Sequence, residues 1–344
     1  AVSPSVAMLN GGTVLSLVSA GIADGAQAWC RFAGLTVVEA EAVSGGAVQC
    51  AAVAAALGFP FEERTVAPRP PWEWMAPWGA VDPHEAPGRE GGPLQGAFPD
   101  IAIISGRRAV PHGRALQKAS AGAVRLVMLK DPRFAREAPD VIWAPTHDQL
   151  EGRNVFSTLT TPHGLGGALA KPGVPCAAIA ELPRPFLGVV LGGPSGGADY
   201  SVAAARDLAG RLSNAGKDYA AIAVTPSRRT PQDFLAAIRR HLVHDSVFVW
   251  DRQSDNPYRD ILAHAGAIVV AGDSHNMASE ALASSAPVYI WRPEDIAPKI
   301  DWFVAQIVGQ GDARLFENEA PFFARRPIDA TPEIAGEIRK RLGL

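Results

Sequence analysis

Cysteine is scarce in this chain, with three residues, Cys30, Cys50 and Cys176, scattered and odd in number. That spacing offers neither a disulfide framework nor a cysteine zinc site, and it points to a reducing compartment with buried, inert thiols. No apolar run reaches the roughly 18 residues that cross a bilayer, so no membrane-spanning helix is expected. Charge of one sign is also lacking. The 32 Lys and Arg against 35 Asp and Glu leave a formal charge of −3, which gives no electrostatic case for nucleic acid. Before position 35 the single basic residue is Arg31, so the apolar stretch 14–18 has no basic flank and neither a signal nor a transit peptide is expected. There is no heptad, no repeat of 20–50 residues, no low-complexity tail, and no Asp/His/Glu cluster at metal-ligand spacing.

What is abundant is glycine and proline, 34 and 29 in 344 residues. The length suits two domains of ordinary size, each able to bury a core, and the composition suits an α/β fold with many tight connections. Residues 267–291 carry the clearest pattern. A buried strand at 267–270, a polar turn at 272–276, a short helix at 277–284 and a second buried strand at 288–291 read as a βαβ unit of a parallel sheet. Ligands of such sheets bind beyond the carboxyl ends of the strands, and helix N-termini attract phosphate. Ser274, His275 and Asn276 are therefore candidates to face an anion, with Glu280 one turn on and within reach of a sugar hydroxyl. An equally simple reading makes Asp273 and Ser274 helix caps and Glu280 a solvated carboxylate.

The rest of the chain repeats the pattern. A strand at 35–40, the glycine turn Ser44-Gly45-Gly46 and a helix at 47–57 ending at Gly58 form a plain βα turn, without G-x-G-x-x-G or a Walker lysine. The strand at 61–66 leads to a loop at 68–99 rich in Pro, Gly and Trp. Its Trp72, Trp74 and Trp78 either cover the sheet edge or form a patch facing an acceptor or a membrane. Strands at 100–105, 124–129 and 141–144 end in Gly106-Arg107-Arg108, Lys130-Asp131-Pro132-Arg133 and Thr146-His147-Asp148, and arginines in such loops suit anions. After the Pro-rich 182–185, read as a linker, the strand 186–191 enters Gly192-Gly193-Pro194-Ser195-Gly196-Gly197 and a helix at 201–215. Four glycines and a serine there let backbone N–H groups close around a phosphate. Strands at 219–224 and 247–250 and helices at 231–241, 258–265, 300–308 and 332–342 complete the pattern.

Seven loops, SGRR at 105–108, KDPR at 130–133, PTHD at 145–148, GGPSGG at 192–197, TPSRRTP at 225–231, WD with NPY at 250–258 and DSHNMASEA at 273–281, resemble in order and spacing those of the mitochondrial-fission family. This is the elongated-mitochondria type, named from its plant member and widespread in bacteria. The resemblance implies an α/β fold of two Rossmann-like βαβ domains with a cleft between them, glycosyltransferase-B-like. The division expected is an accessory extension over 1–34, an acceptor-side domain over 35–183, a nucleotide-binding domain over 184–318 and a helical tail over 319–344 packing back on the first domain. Carried over by position, Gly193, Ser195, Gly196, Ser227, Arg228, Asp273, Ser274, Met277 and Glu280 would line the donor site, with Arg107, Arg108 and Arg133 facing it. One departure stands out: Gly45-Gly46 before Gln49 replaces the Gly-His pair expected in the family's first loop.

The leading expectation is a metal-independent, nucleotide-sugar-dependent glycosyltransferase that uses the nucleotide-sugar as substrate and needs no cofactor. Arg228, with Arg107, would stabilise the charge growing on the leaving diphosphate. An inverting enzyme also needs a general base, for which His112, Asp131, His147 and Asp148 are candidates by loop position. The acceptor expected is a cell-envelope glycan or lipid. The location expected is cytoplasmic, peripheral at the inner membrane, with contact through the 72–78 loop. The alternatives are a catalytically silent scaffold of the same fold, as in fission-type recruitment by the plant member, and an epimerase.

Overall fold

The computed structural model describes residues 45–344, and the backbone of 15–17 and 35–39. Apart from the strand at 15–17, the extension expected over 1–34 lies outside the described residues, as does Ser44 of the first glycine turn. The chain forms two compact units, one of 1–158, 162–164 and 330–344, the other of 159–161 and 165–329.

In the first unit the strands are β1 (Leu15–Leu17), β2 (Leu35–Glu39), β3 (Phe61–Thr65), β4 (Ile101–Ser105), β5 (Arg125–Leu129), β6 (Val141–Pro145) and β7 (Val155–Thr158), in the order β3-β1-β2-β4-β5-β6-β7. β2, β4, β5, β6 and β7 run parallel, while β1 is antiparallel to both its neighbours. The helices are α1 (Gly45–Leu57), α2 (Trp72–Met75) and α3 (Val110–Ala119). β4 and β6 are buried at every position, so helices cover both faces of the sheet and the strands read as unbroken apolar runs. Ile101 and Ile103 meet Cys50, Val53 and Leu57 of α1 on one face. Ala102 and Ile104 meet Leu116 of α3 on the other, as the two-residue period of a strand requires.

The second unit opens with α4 (Gly166–Ala170) and α5 (Ala177–Ala180). It continues as β8 (Phe186–Leu191), α6 (Val202–Ala215), β9 (Ala221–Pro226), α7 (Gln232–His241), β10 (Val247–Val249), α8 (Tyr258–His264), β11 (Ala267–Ala271), α9 (His275–Leu282), β12 (Val288–Trp291), α10 (Pro298–Gly309) and β13 (Arg314–Leu315). The sheet order is β10-β9-β8-β11-β12-β13, all parallel. Leu187, Val189 and Leu191 of β8 pack with Leu208 and Leu212 of α6 and Phe234 of α7. Val190 packs on the opposite face with Leu282 of α9 and Phe303 of α10. The chain then closes with α11 (Thr331–Leu342), whose Ile334 and Ile338 share the core of α1 in the first unit.

The crossing at 158–165 precedes the Pro-rich 182–185 that looks like a linker. Leu165 and Leu169 are buried with Ile268, Val270 and Phe303, and the Cys176 N–H donates to Asp260 Oδ2 at 2.8 Å, so 165–183 belongs to the second unit. The expected tail over 319–344 divides as well. The Ile328 N–H donates to Leu282 O at 2.8 Å in the second unit, and only 330–344 joins the first.

Candidate functional site

Counted from β8, the second sheet runs 3-2-1-4-5-6, and its strand order reverses between β8 and β11. At such a switch point the connections leave in opposite directions and open a crevice at the carboxyl ends of the strands. The β8–β11 register pairs Val189 with Val269 and Val190 with Val270, which brings the 192–197 glycine loop level with the turn 272–274.

These two loops are locked together by Asp273, whose side chain is 0% exposed. Its Oδ1 accepts from the Tyr200 hydroxyl at 2.6 Å. Its Oδ2 accepts from the Gly193 N–H at 3.3 Å and from Arg229 Nη2 at 3.4 Å. Burial pushes the Asp273 carboxyl above the usual carboxylate range, against the pull of its donors. Burial and the neighbouring carboxylate together push the Tyr200 hydroxyl up as well, so it remains a donor. The Tyr200 ring is itself fixed between Phe234 and Trp291, with centroids at 4.8 and 5.5 Å. Gly192 admits no side chain, because a Cβ there would lie 1.9 Å from Asp273 Oδ1.

The 227–230 loop clamps the other side of the same peptide. The Ser227 hydroxyl donates to Gly192 O at 2.9 Å and the Thr230 hydroxyl donates to the same oxygen. Arg252 Nη2 in turn donates to Ser227 O and Thr230 O, at 2.8 and 2.7 Å. Both polar ends of the Gly192–Gly193 peptide are thus engaged by side chains. The Gly193 N–H expected to hold a phosphate is occupied by Asp273. Gly196 turns in the same loop at φ +62°, a conformation that suits glycine. Arg228 and Arg229 are both exposed, and it is Arg229, absent from the sequence expectation, that reaches the switch-point carboxylate.

On the other strand, Ser274 is the N-cap of α9 and its hydroxyl accepts from the Met277 N–H at 3.4 Å. The helix begins at His275 rather than 277, which presents its first-turn N–H groups and positive dipole end beside the glycine loop. His275 does not face an anion. It is buried at 8% exposure, its Nε2–H donates to Leu159 O at 2.8 Å, and its ring sits edge-on to Phe303 at 4.2 Å. The first helical position points inward here, and a side chain there joins the core. Asn276 and Met277 are half-buried, with Met277 against the apolar core. Glu280 Oε2 accepts from the Tyr258 hydroxyl at the start of α8. Burial raises the Glu280 carboxyl, and burial with the Glu280 charge raises the Tyr258 hydroxyl well above its usual range. Among the described residues Glu280 Oε1 accepts no hydrogen bond.

The candidates in the first unit have local duties. Arg107 Nη1 donates to Ala76 O at 2.7 Å, and Arg108 pairs with Glu73, so both arginines of this loop tie down α2. Asp131 takes Arg136 in a two-toothed pair at 2.8 and 2.7 Å and accepts the Arg133 N–H at 2.8 Å. The Arg136 guanidinium holds the Asp131 carboxyl below the usual range, which makes it a weak base and corrects that candidate. His112 is buried at 1% exposure between Glu85 Oε2 at 2.9 Å and Arg108 O at 3.1 Å, a structural post rather than an exposed base. The His147 side chain is 4% exposed, with Nε2 3.7 Å from Asp148 Oδ1. Among the described residues no three His, Cys, Asp or Glu side chains are grouped to hold a metal ion, and no helix is long and apolar enough to cross a membrane.

Residues 44–342 match the family described as Mitochondrial fission ELM1. The chain belongs to that family. It is 26% identical over 273 residues to the mitochondrial fission protein ELM1 of Arabidopsis thaliana, covering 71% of this chain and 64% of that protein. It is 34% identical over 121 residues to the uncharacterized protein RP120 of Rickettsia prowazekii, covering 33% of this chain and 34% of that one. The chain thus spans less than two thirds of the length of either relative. Among solved structures it is similar to a putative UDP-N-acetylglucosamine 2-epimerase from Listeria monocytogenes, with 10% identity, TM-score 0.44, and 72% of this chain and 67% of that one covered. It is also similar to Os79 from O. sativa in complex with UDP, at 13% identity, TM-score 0.42, and 74% and 70% covered.

Proposed function

We propose that this family member binds a nucleotide-sugar by its diphosphate and ribose at the β8/β11 switch point of the second unit and acts as a glycosyltransferase. The observation that carries the reading is the strand reversal. It places a glycine loop, a capped helix N-terminus and a carboxylate oriented by a tyrosine at the one edge where open parallel sheets hold nucleotides. In this reading the diphosphate lies between Ser195–Gly197 and the first turn of α9. Arg228 and Arg229 supply positive charge to the leaving group, and Glu280 Oε1 accepts from the ribose. The nucleotide-sugar is a substrate, so no separate cofactor is invoked.

The second reading is a catalytically silent binding protein. One observation favours it: Asp273 takes the Gly193 N–H and places a carboxylate beneath the loop, which removes a donor from the phosphate cradle. Thermal shift against UDP-, GDP-, ADP- and CMP-sugars, with Glu280→Ala and Arg228→Ala alongside, tests the first reading. A ligand that binds only the folded chain stabilises it by mass action, by about 2.7 kcal/mol at a hundred times Kd, and so raises Tm. The expected result is a rise with one nucleotide class that shrinks in both variants. A folded wild type that responds to no nucleotide leaves the silent reading in its place.

A further inference from the structure

Away from the nucleotide site, residues 69–79 build a rigid apolar knob on the first unit. Successive backbone bonds wind the segment into α2 and a following turn, from Glu73 N–H to Arg69 O at 3.1 Å through Gly79 N–H to Met75 O at 2.9 Å. Ala76 and Pro77 are buried beneath it. Three large side chains then stand in solvent within five residues, Trp74 at 69% exposure, Met75 at 40% and Trp78 at 61%. Flexibility does not explain them, because Arg107 and Arg108 fasten α2 through Ala76 O and the Glu73 carboxylate.

The charges around the knob are layered. Arg69 is 51% exposed while its partner Asp82 is 0% exposed, so the carboxylate faces in and the guanidinium faces out. Arg108 is 34% exposed over Glu73 at 25%. Arg107 is exposed and, among the described residues, bonds only to the carbonyls of Ala76 and Glu73, which leaves its charge without a carboxylate. Three guanidinium groups next to the apolar segment thus reach solvent, while the Asp82 and Glu73 carboxylates paired with two of them are more buried. A wedge of indoles with exposed cations beside it suits a lipid headgroup boundary, where an apolar body with a polar N–H is favoured.

We propose that the Trp74–Met75–Trp78 knob docks on an anionic phospholipid bilayer, with the indoles in the interfacial layer and Arg69, Arg107 and Arg108 against the lipid phosphates. Attraction of this kind acts within a Debye length and fades in salt, whereas the indole contribution persists. The test is co-sedimentation of the full chain with vesicles of phosphatidylglycerol and phosphatidylcholine, and with vesicles of phosphatidylcholine alone. The wild type is expected to sediment with the anionic vesicles and much less with the neutral ones. Trp74→Ser with Trp78→Ser is expected to lower the partition coefficient by at least about tenfold at unchanged Tm, because both side chains are solvent-exposed. Trp74→Tyr with Trp78→Tyr, which keeps an amphipathic ring at each position, is expected to retain most of the binding. Wild-type protein that stays in the supernatant, or a Ser variant that sediments like wild type, overturns the proposal. So does self-association of the wild type that the Ser variant abolishes without any vesicle binding, since the occupant would then be a second copy.

Discussion

Four tyrosines serve the whole chain, and each donates its hydroxyl to a defined acceptor: Tyr200 to Asp273, Tyr219 to Ala320 O, Tyr258 to Glu280 and Tyr289 to Pro321 O. Two of these bonds fix the carboxylates of the candidate site. Scarcity was the available signal, since a rare residue with a polar tip is seldom spent on plain surface. The loop motifs lead to Asp273, Ser274 and Glu280 but not to their partners, because Tyr200 and Arg229 lie 73 and 44 positions away along the chain. At this scale pH gives a test. Burial raises the Glu280 carboxyl, so the folded state holds its proton more tightly than the unfolded chain. Stability from this group is therefore present at low pH and falls as pH rises from the ordinary carboxylate range through the raised folded value. Glu280→Gln, which keeps an acceptor for Tyr258, is expected to gain Tm relative to wild type as pH goes from about 4 to about 8, the unfolded carboxylate titrating near the bottom of that range. Parallel Tm curves for the two proteins would contradict it.

Among the elements, continuous Val- and Ile-rich runs identify β4, β6, β8, β11 and β12 because helices on both faces demand apolar side chains at every position. β7 is legible only in part, since VFST has one fully buried residue and neither strict alternation nor a full run. α4 and α5 are four or five residues long, too short for a helical period to show. The 182–185 segment reads as a linker from its prolines, yet Arg184 Nη1 donates to His264 O at 2.8 Å and ties it to the second unit. Glycine content pointed to the 192–197 loop, but sequence cannot tell a glycine that admits a ligand from one that admits a neighbour. Gly192 is the second kind. Gly192→Ala is accordingly expected to cost about 3 kcal/mol by displacing Asp273 from its buried donors. Gly210→Ala, exposed in α6 with no atom within 4 Å of its would-be Cβ, is expected to add about 0.5–1 kcal/mol. Urea unfolding of both variants checks the contrast, and equal effects would contradict the lock.

For the molecule as a whole, order and spacing of the seven loops carry the family, and the match over 44–342 agrees with them. The division into units is less legible because it depends on pairs far apart in sequence, such as Arg339 to Leu57 O and His163 N–H to the Thr331 hydroxyl. The central claim is that the second unit binds a nucleotide at its switch point. Hydrogen–deuterium exchange read by mass spectrometry, with and without the nucleotide-sugar that shifts Tm, tests its location most directly. Slowed exchange is expected in peptides covering 192–201, 226–232 and 272–280, with α11 and β2 unchanged. Protection confined to the first unit, or none at a saturating concentration of that ligand, would contradict it.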